Sequence, residues 1–338
     1  MGIARIGALV IACAVASGAA LGQSQSESFP KNIKLLISSK EGGGYTVYGR
    51  LMERHMPRFL PGKPDIILQS MFGAGGVRLV NYMYNVAPRD GSALGLIQST
   101  TPLAPIHGSP EARFDPRELS WIGSMNVTSA FCMSWHKSPI QTWQDMKDKE
   151  FLVGATGANS RGATWPAMIN RLFGTKMKVI SGYGGGNEIL IAMERGEIHG
   201  RCGSLLAGIR ATRPDWLEHK YLLAPITISR ERHPEFPDSP SINEFAGDRD
   251  ERTRNVFEVV YKILEIDRPF FAPPGLTSER LTTLRTAFER MMKDPSFLEE
   301  GQKSNLEFVY GSGEAVAQAI AWIYSMPKEV VIEAGGED

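Results

Sequence analysis

Four short segments of the sequence combine glycine with small polar residues in a way that suits the binding of an anion. They are Gly42-Gly43-Gly44 followed by Tyr45, Gly73-Ala74-Gly75-Gly76, the loop GATGANSRGAT with Ser160 and Arg161, and Tyr183-Gly184-Gly185. Each lies between a strand-like run and a helix-like pattern. Glycine lets the backbone approach a ligand closely, and the free N–H groups of a helix's first turn favour negative charge. The segments therefore predict contacts to a carboxylate or a phosphate.

Four side chains in these units are candidates for further contacts. Arg161 stands in a glycine-rich turn, where it offers a bidentate fork to a carboxylate or is a solvated surface arginine. Tyr183 and Trp165 either stack on a flat ligand or pack in the core, and Trp165 falls on the apolar face of its helix. His199 keeps a candidate role because it lies in a strand of the fourth unit.

The enzyme motifs that the sequence partly matches lack the residues that carry their chemistry. Residues 44–51 have the glycine spacing of a P-loop, but Arg50 and Leu51 replace the phosphate-binding lysine and the magnesium-binding hydroxyl residue. No G-x-S-x-G elbow is present, and the six histidines form no H-E-x-x-H. The sequence thus favours a binding protein without cofactor or metal. The alternative is a secreted enzyme that uses the same cleft between domains as its active site.

The segments are connected by a repeating alternation of strands and helices. Strand-like runs cover residues 33–38, 65–69, 93–97, 151–154, 178–180 and 198–202. Such alternation predicts an α/β fold with parallel strands, in which ligands bind beyond the carboxyl ends of the strands. All four glycine-bearing turns should gather there.

Composition limits the class of protein. The chain has 338 residues, 42% of them hydrophobic, which is enough for two domains. Lys plus Arg and Asp plus Glu number 37 each, so no overall charge attracts nucleic acid or an anionic membrane. A charged ligand must therefore be held locally.

The N-terminus predicts export. Residues 1–22 have Arg5 ahead of a short apolar run and small residues up to Gly22, as in a secretory signal peptide. A membrane anchor would need a longer run, and lipoprotein processing at Cys13 is disfavoured because the apolar run continues past it. Export leaves Cys132 and Cys202 as either a disulfide or two buried thiols.

The order of the motifs resembles one known family. GGG followed by Arg-Leu, then GAGG, Pro-x-Asp-Gly, G-x-x-G-x-x-S, Tyr-x-Gly-Gly, Gly-Glu-Ile and Pro-Ser-Ile-Asn-Glu-Phe is similar to the substrate-binding receptors of tripartite tricarboxylate transporters, the TctC or Bug family. The resemblance spans about residues 30–325.

The resemblance implies a two-domain periplasmic-binding-protein (Venus-flytrap) fold, each domain a mostly parallel sheet flanked by helices. Residues 30–126 plus 257–338 would form domain I, and 127–256 domain II. It also implies a monomeric periplasmic receptor, not an enzyme, that closes on a small organic carboxylate and delivers it to a membrane permease. A ligand-binding sensory receptor remains an alternative.

The resemblance further implies which residues contact the ligand. They are Gly42, Gly43, Gly44, Gly73, Ala74, Gly75, Gly76, Ser160, Tyr183, Gly184 and Gly185, with Gln98, Ser99 and Thr100 after the third strand. Three residues depart from the family pattern: Thr46 and His199 stand where the family commonly has Asp, and Asn159 stands where it commonly has glycine. They point to a larger or more strongly anionic ligand.

Overall fold

The structure is a computed structural model that describes residues 1–2, 29–126, 129–304, 306 and 308–335. Apart from its first two residues, the signal peptide predicted over residues 1–22 lies outside this part of the chain. Within it, no helix has the length and apolar character needed to cross a bilayer.

One six-stranded sheet is built from both ends of the chain. Its strands are β1 (Asn32–Ile37), β2 (Asp65–Ser70), β3 (Ala93–Leu96), β4 (Ser120–Asn126), β10 (Asp267–Ala272) and β11 (Gly311–Ser312), in the order β11-β4-β10-β3-β1-β2. β1 pairs in parallel with β2 and β3, whereas β10 is antiparallel to β3 and β4. The sheet is therefore mixed, with a parallel half formed by the first three strands.

A second, five-stranded sheet comes from the middle of the chain. Its strands are β5 (Ala130–Trp135), β6 (Phe151–Ala155), β7 (Met177–Ser181), β8 (Gly200–Leu205) and β9 (Leu222–Ile228), in the order β7-β6-β8-β5-β9. β6 is parallel to β7 and β8, and β5 is antiparallel to its two neighbours. Cys132 in β5 and Cys202 in β8 form a disulfide, which settles the alternative left open by the sequence.

Helices flank the sheets. They are α1 (Gly44–His55), α2 (Val77–Asn85), α3 (Trp143–Asp148), α4 (Arg161–Phe173), α5 (Gly186–Glu194), α6 (Leu206–Thr212), α7 (Pro214–Glu218), α8 (Asn243–Ala246), α9 (Glu251–Leu264), α10 (Ser278–Met292), α11 (Pro295–Lys303), α12 (Gly313–Ser325) and α13 (Lys328–Ala334). Short 3₁₀ turns cover Met56–Phe59, Ala74–Gly76 and Thr101–Leu103.

The local sequence explains these elements. β1 buries Ile33, Leu35 and Ile37, as expected of a strand covered by helices. α1 buries Tyr48 and Leu51 at helical spacing. The six strand-like runs found in the sequence all correspond to strands, and α1, α2, α4 and α5 begin at the four glycine-bearing segments. The predicted α/β fold with a helix after each of these turns is confirmed.

The chain passes between the sheets more than once. It leaves the first sheet after β4 and enters β5, and it returns between α9 and β10. Side chains of α9 and α13 belong to the hydrophobic cluster that covers the second sheet, including Phe257 and Val331. The division into residues 30–126 plus 257–338 and 127–256 stays a proposal, in which α13 packs back onto the middle segment.

Candidate functional site

A cavity of about 60 Å³ lies between the two sheets, at the ends of strands where the glycine-bearing turns meet. This is room for a few water-sized groups. It is lined by residues from both sheets and their helices: Ser39, Gly43, Gly44, Tyr45, Gln98, Thr156, Arg161, Gly186, Asn187, Leu190, Arg201, Gly203, Ser204, Leu205, Gly208, Ile209, Thr212 and Arg268. The cavity therefore combines contributions from the N-terminal and the middle parts of the chain.

Two helices present their N-termini to this cavity from opposite sides. α1 begins at Gly44 and α5 at Gly186, and neither N-cap residue supplies a capping side chain. A Cβ placed on Gly43 would lie 3.8 Å from the Gly186 nitrogen and 3.7 Å from the Asn187 nitrogen. First-turn N–H groups have no partner within their own helix, and the helix dipole makes this end positive. The backbone N–H groups of the two N-termini therefore give the cavity a positive lining, and Glu188 in the first turn of α5 is paired with Lys40.

Three arginines add full charges. Arg161 at the start of α4, Arg201 in β8 and Arg268 in β10 line the cavity, and we call them the arginine cluster. Asp267 lies beside two of them with no exposed side-chain surface. Its Oδ1 accepts a hydrogen bond from Arg161 Nη1 at 3.0 Å, and its Oδ2 accepts one from Arg268 Nη1 at 2.7 Å. The Arg161–Asp267 ion pair joins the two sheets.

Arg201 is the member of the cluster without a counter-ion. Among the described residues none accepts a hydrogen bond from it, and its Nε is buried without a partner. Burial, and then the charge of Arg161, lowers the pKa of Arg201 to about 10, so the group is still charged at neutral pH. A buried charge without a partner is costly, and such groups concentrate at functional sites.

Arg268 is held in a strained backbone conformation. Its φ is +53°, which is unusual for a residue with a side chain, and its guanidinium carbon lies 4.0 Å from the ring centroid of Tyr48. Nη1 also donates to Asn126 Oδ1 at 3.3 Å. Strain of this kind persists where surrounding contacts fix it, and it is typical of binding sites.

Several hydroxyl groups at the cavity have no partner either. Ser39 is 7% exposed and Ser204 3%, and the Oγ of each is buried without a hydrogen bond among the described residues. The Tyr45 hydroxyl is in the same state, and burial is the main cause that raises the pKa of Tyr45 to about 12. Buried polar groups are nearly always hydrogen-bonded. Several unsatisfied groups around one cavity indicate that it receives water or a ligand.

The glycine-bearing segments meet in pairs across the gap between the sheets. The first meets the fourth: Lys40 N donates to Gly184 O at 2.9 Å, and Lys40 Nζ lies 2.8 Å from Glu188 Oε1. The second meets the third, because a Cβ on Gly157 would lie 2.5 Å from Gly75 N. Gln98 also spans the gap, since its Oε1 accepts from Arg161 N at 3.4 Å.

These contacts show where the predicted site residues lie. Gly43, Gly44, Tyr45, Gln98 and Arg161 line the cavity. Gly73, Ala74, Gly75, Gly76, Ser160, Gly184 and Gly185 lie in the paired loops beside it but not on its wall, and Gly42 is exposed, with its N–H donating to Thr46 Oγ1 at 3.0 Å. The glycines of the second loop give clearance between backbones, and their contact with a ligand stays a prediction.

Four other candidates occupy positions away from the cavity wall. Ser99 and Thr100 directly follow Gln98 in the chain and are buried. Tyr183 packs partly into the hydrophobic cluster beside β8. His199 precedes β8, at the end of that strand opposite Ser204, and its Nδ1 accepts from Leu152 N at 3.2 Å. A ligand role for His199 is not supported by this placement, because the chain enters the strand there and leaves it at the cavity.

Arg201, Arg268 and Asp267 were missed by the sequence reading. Each is a charged residue inside a strand whose neighbours are buried, as in Gly200-Arg201-Cys202 and Ile266-Asp267-Arg268. Charged residues are rarely enclosed unless they are paired or functional, so this pattern was the available signal.

The chemistry open to this arrangement is the binding of an anion. Among the described residues that line the cavity there is no histidine, cysteine, lysine, aspartate or glutamate to act as a base. Nor do three or more potential metal-binding side chains come together anywhere in the described chain. The polar groups that do line it are mainly hydrogen-bond donors suited to negative charge, beside the apolar side chains of Leu190, Leu205 and Ile209.

The fold is similar to that of solved solute-binding proteins. The periplasmic binding protein BugD has a TM-score of 0.73 and 17% identity, over 91% of this chain and 99% of BugD. MatC from Rhodopseudomonas palustris with bound malate has a TM-score of 0.70 and 18% identity, over 90% and 100%. A TctC solute-binding protein from Polaromonas has a TM-score of 0.56 and 19% identity, over 89% and 97%.

At these identities the likeness establishes the fold and leaves the ligand open. No protein-family model matches the chain, and no curated protein matches it significantly. The neighbours bear the names Bug and TctC, so the resemblance read from the sequence is confirmed at the level of the periplasmic-binding-protein fold.

Proposed function

We propose that this chain is a periplasmic solute-binding receptor of the TctC or Bug type, which closes two lobes on a small organic carboxylate. The observation that carries the proposal is Arg201, a charged guanidinium that no described residue pairs, in a cavity where the α1 and α5 N-termini meet. A carboxylate would satisfy the guanidinium, the N–H groups and the hydroxyls together, and charge-assisted hydrogen bonds contribute about 1.5–3 kcal/mol each.

Two features support the role of receptor over that of enzyme. The described cavity wall offers hydroxyl groups but no base to activate them. The fold is shared with a protein solved with malate bound, and in such folds hinge closure around the ligand is the working motion. Delivery of the ligand to a membrane permease, and a monomeric state, complete the proposal.

Thermal unfolding in the presence of a panel of mono-, di- and tricarboxylates tests it. An acid present at 100 times its dissociation constant should stabilise the fold by about 2.7 kcal/mol and raise the melting temperature. Proton NMR of the same mixtures should show the acid unchanged after hours. A melting temperature that no acid shifts would refute the receptor, and conversion of an acid would favour the enzyme.

Export has its own test. Expression of the full chain in a Gram-negative host, followed by intact-mass measurement of the periplasmic fraction, should show a mature N-terminus at Gln23. Protein retained uncleaved in the cytoplasm would contradict a periplasmic receptor.

A further inference from the structure

We infer that Asp267 sets the charge of the ligand at two, and that Arg201 distinguishes a doubly charged ligand from a singly charged one. The inference rests on the proposed function and deepens it, since it names the class of carboxylate and the residues that select it.

The charge of the cavity is the first step. The arginine cluster supplies three positive charges, and no other charged side chain lines the cavity in the described chain. Asp267 contacts Arg161 and Arg268 and supplies one negative charge. Two positive charges therefore remain without a counter-charge. In an enclosed site of low dielectric each unpaired charge is costly, so the ligand that leaves the site neutral carries two negative charges.

The second step is how these charges are divided. Asp267 already uses one donor each of Arg161 and Arg268, whereas Arg201 has no acceptor among the described residues. Arg201 Nη1 also lies beside the N-terminus of α5, 2.9 Å from the Cβ position of Gly186. One acid group of the ligand thus has Arg201 as its own partner, and the other must share Arg161 and Arg268 with Asp267.

The third step is the set of unpaired hydroxyls. Ser204 lies three residues beyond Arg201 in β8, and its Oγ is buried without a partner among the described residues. The same holds for the Oγ of Ser39, which follows β1 of the facing sheet. A hydroxyl can donate a hydrogen bond to a carboxylate without changing the net charge of the site. These groups therefore add donors at both sides of the cavity without changing the count of two.

Asp267 lies where the chain passes from one sheet to the other. It is the first residue of β10, directly after the chain returns from α9, and its neighbour Arg268 bonds to Asn126, the last residue of β4. The two points where the chain passes between the sheets therefore lie beside Asp267 and the arginine cluster, the charges that would select the ligand.

Matched ligand pairs test the inference with the full mature chain. Succinate, glutarate and adipate are compared by calorimetry with their monoamides succinamate, glutaramate and adipamate, which keep the size and lose one charge. The best-fitting diacid should bind at least about tenfold more tightly than its monoamide, equivalent to about 1.4 kcal/mol. In Arg201→Gln that ratio should fall close to one. Arg195→Gln is the control, since the Arg195 side chain is 69% exposed and lies outside the cavity.

Asp267→Asn tests the counter-ion. It raises the cavity charge to three, so the preference for tricarballylate over glutarate should increase by about tenfold. Asp267→Glu keeps the charge and should keep the original preference. If neither variant folds, the Arg201→Gln ratio decides the charge count.

The outcomes separate the two proposals. Monoamides that bind the native protein as tightly as the diacids would overturn the inference and leave the receptor standing. A diacid preference that survives Arg201→Gln unchanged would overturn the role of that arginine. If no acid of any charge binds, the proposed function itself fails.

Discussion

Unsatisfied polar atoms at single residues define this site more sharply than any motif does. Arg201 Nε and the Tyr45 hydroxyl are both buried, and no described residue forms a hydrogen bond with either of them. Leaving a buried donor unpaired costs about 1–3 kcal/mol. A fold that retains such groups at one cavity sacrifices stability there, which is the usual relation between binding sites and stability.

Tyr45→Phe separates binding from folding at this scale. Because no described residue forms a hydrogen bond with the buried hydroxyl, its removal should leave the melting temperature unchanged or slightly higher. Loss of a hydrogen bond to a charged ligand should weaken binding by about 1.5–3 kcal/mol. Calorimetry and thermal unfolding measure the two effects.

Tyr82→Phe is the matched control, since Tyr82 lies on α2 and not at the cavity. A Tyr45→Phe protein that binds the ligand as well as the native one, or that unfolds at a much lower temperature, would contradict the assignment.

The sequence predicted part of this residue set for a physical reason. Gly43, Gly44 and Arg161 were found because they lie at helix N-termini, a local feature that sequence spacing reveals. Arg201 and Arg268 lie inside strands of different sheets, and they approach each other only when the two sheets face one another. Nothing in local periodicity encodes that approach.

At the scale of elements, the four glycine-bearing turns share one sequence pattern and serve two purposes. The first and fourth bring the N-termini of α1 and α5 to the cavity, and the third also lines it through Thr156 and Arg161. The second packs its backbone against that of the third beside the cavity. Their sequences predict a turn before a helix in all four cases. Only the pairing across the sheets determines which turn meets a ligand.

Gly157→Ala tests the packing of the second and third turns. The backbone of Gly157 is not in the left-handed region, so alanine is not strained there, but its Cβ would lie 2.5 Å from Gly75 N. The clash arises between elements of different sheets, so each sheet should still fold while full closure is hindered. Ligand affinity should fall by about tenfold or more, and small-angle scattering with saturating ligand should show a more extended particle.

Gly247→Ala is the matched control. Gly247 has φ of −61°, and a Cβ there meets only the carbonyl oxygen of Asn243 in the same turn. Unchanged affinity in Gly157→Ala would show that the second and third turns need not approach so closely for binding.

At the scale of the whole molecule, the C-terminal segment ties the two sheets together. α13 packs against α9 and α4 through Val330 and Val331, in the cluster that covers the second sheet. His107 follows β3 of the first sheet, and its Nε2 lies 3.0 Å from the Val331 carbonyl oxygen. The resemblance predicted two lobes, but this return of α13 depends on long-range packing that the motif order does not contain.

The buried His107 makes this tie sensitive to acid. Burial is the main cause that lowers the pKa of His107 from 6.5 to about 4, partly opposed by its hydrogen bond to Val331. The unfolded chain therefore binds more protons than the folded one between those pH values, and stability rises with pH across that window. Its contribution is fully present above about pH 6.5 and should fall by roughly 2–3 kcal/mol on acidification to about pH 4.5.

Urea unfolding at both pH values, compared between the native protein and His107→Gln, isolates the contribution of His107, because glutamine retains an N–H donor and does not titrate. His219→Gln, at an exposed position, should leave the difference unchanged. Equal acid sensitivity in the native protein and His107→Gln would mean that the joint between His107 and α13 does not exclude the proton, and that the two sheets are held together by other contacts.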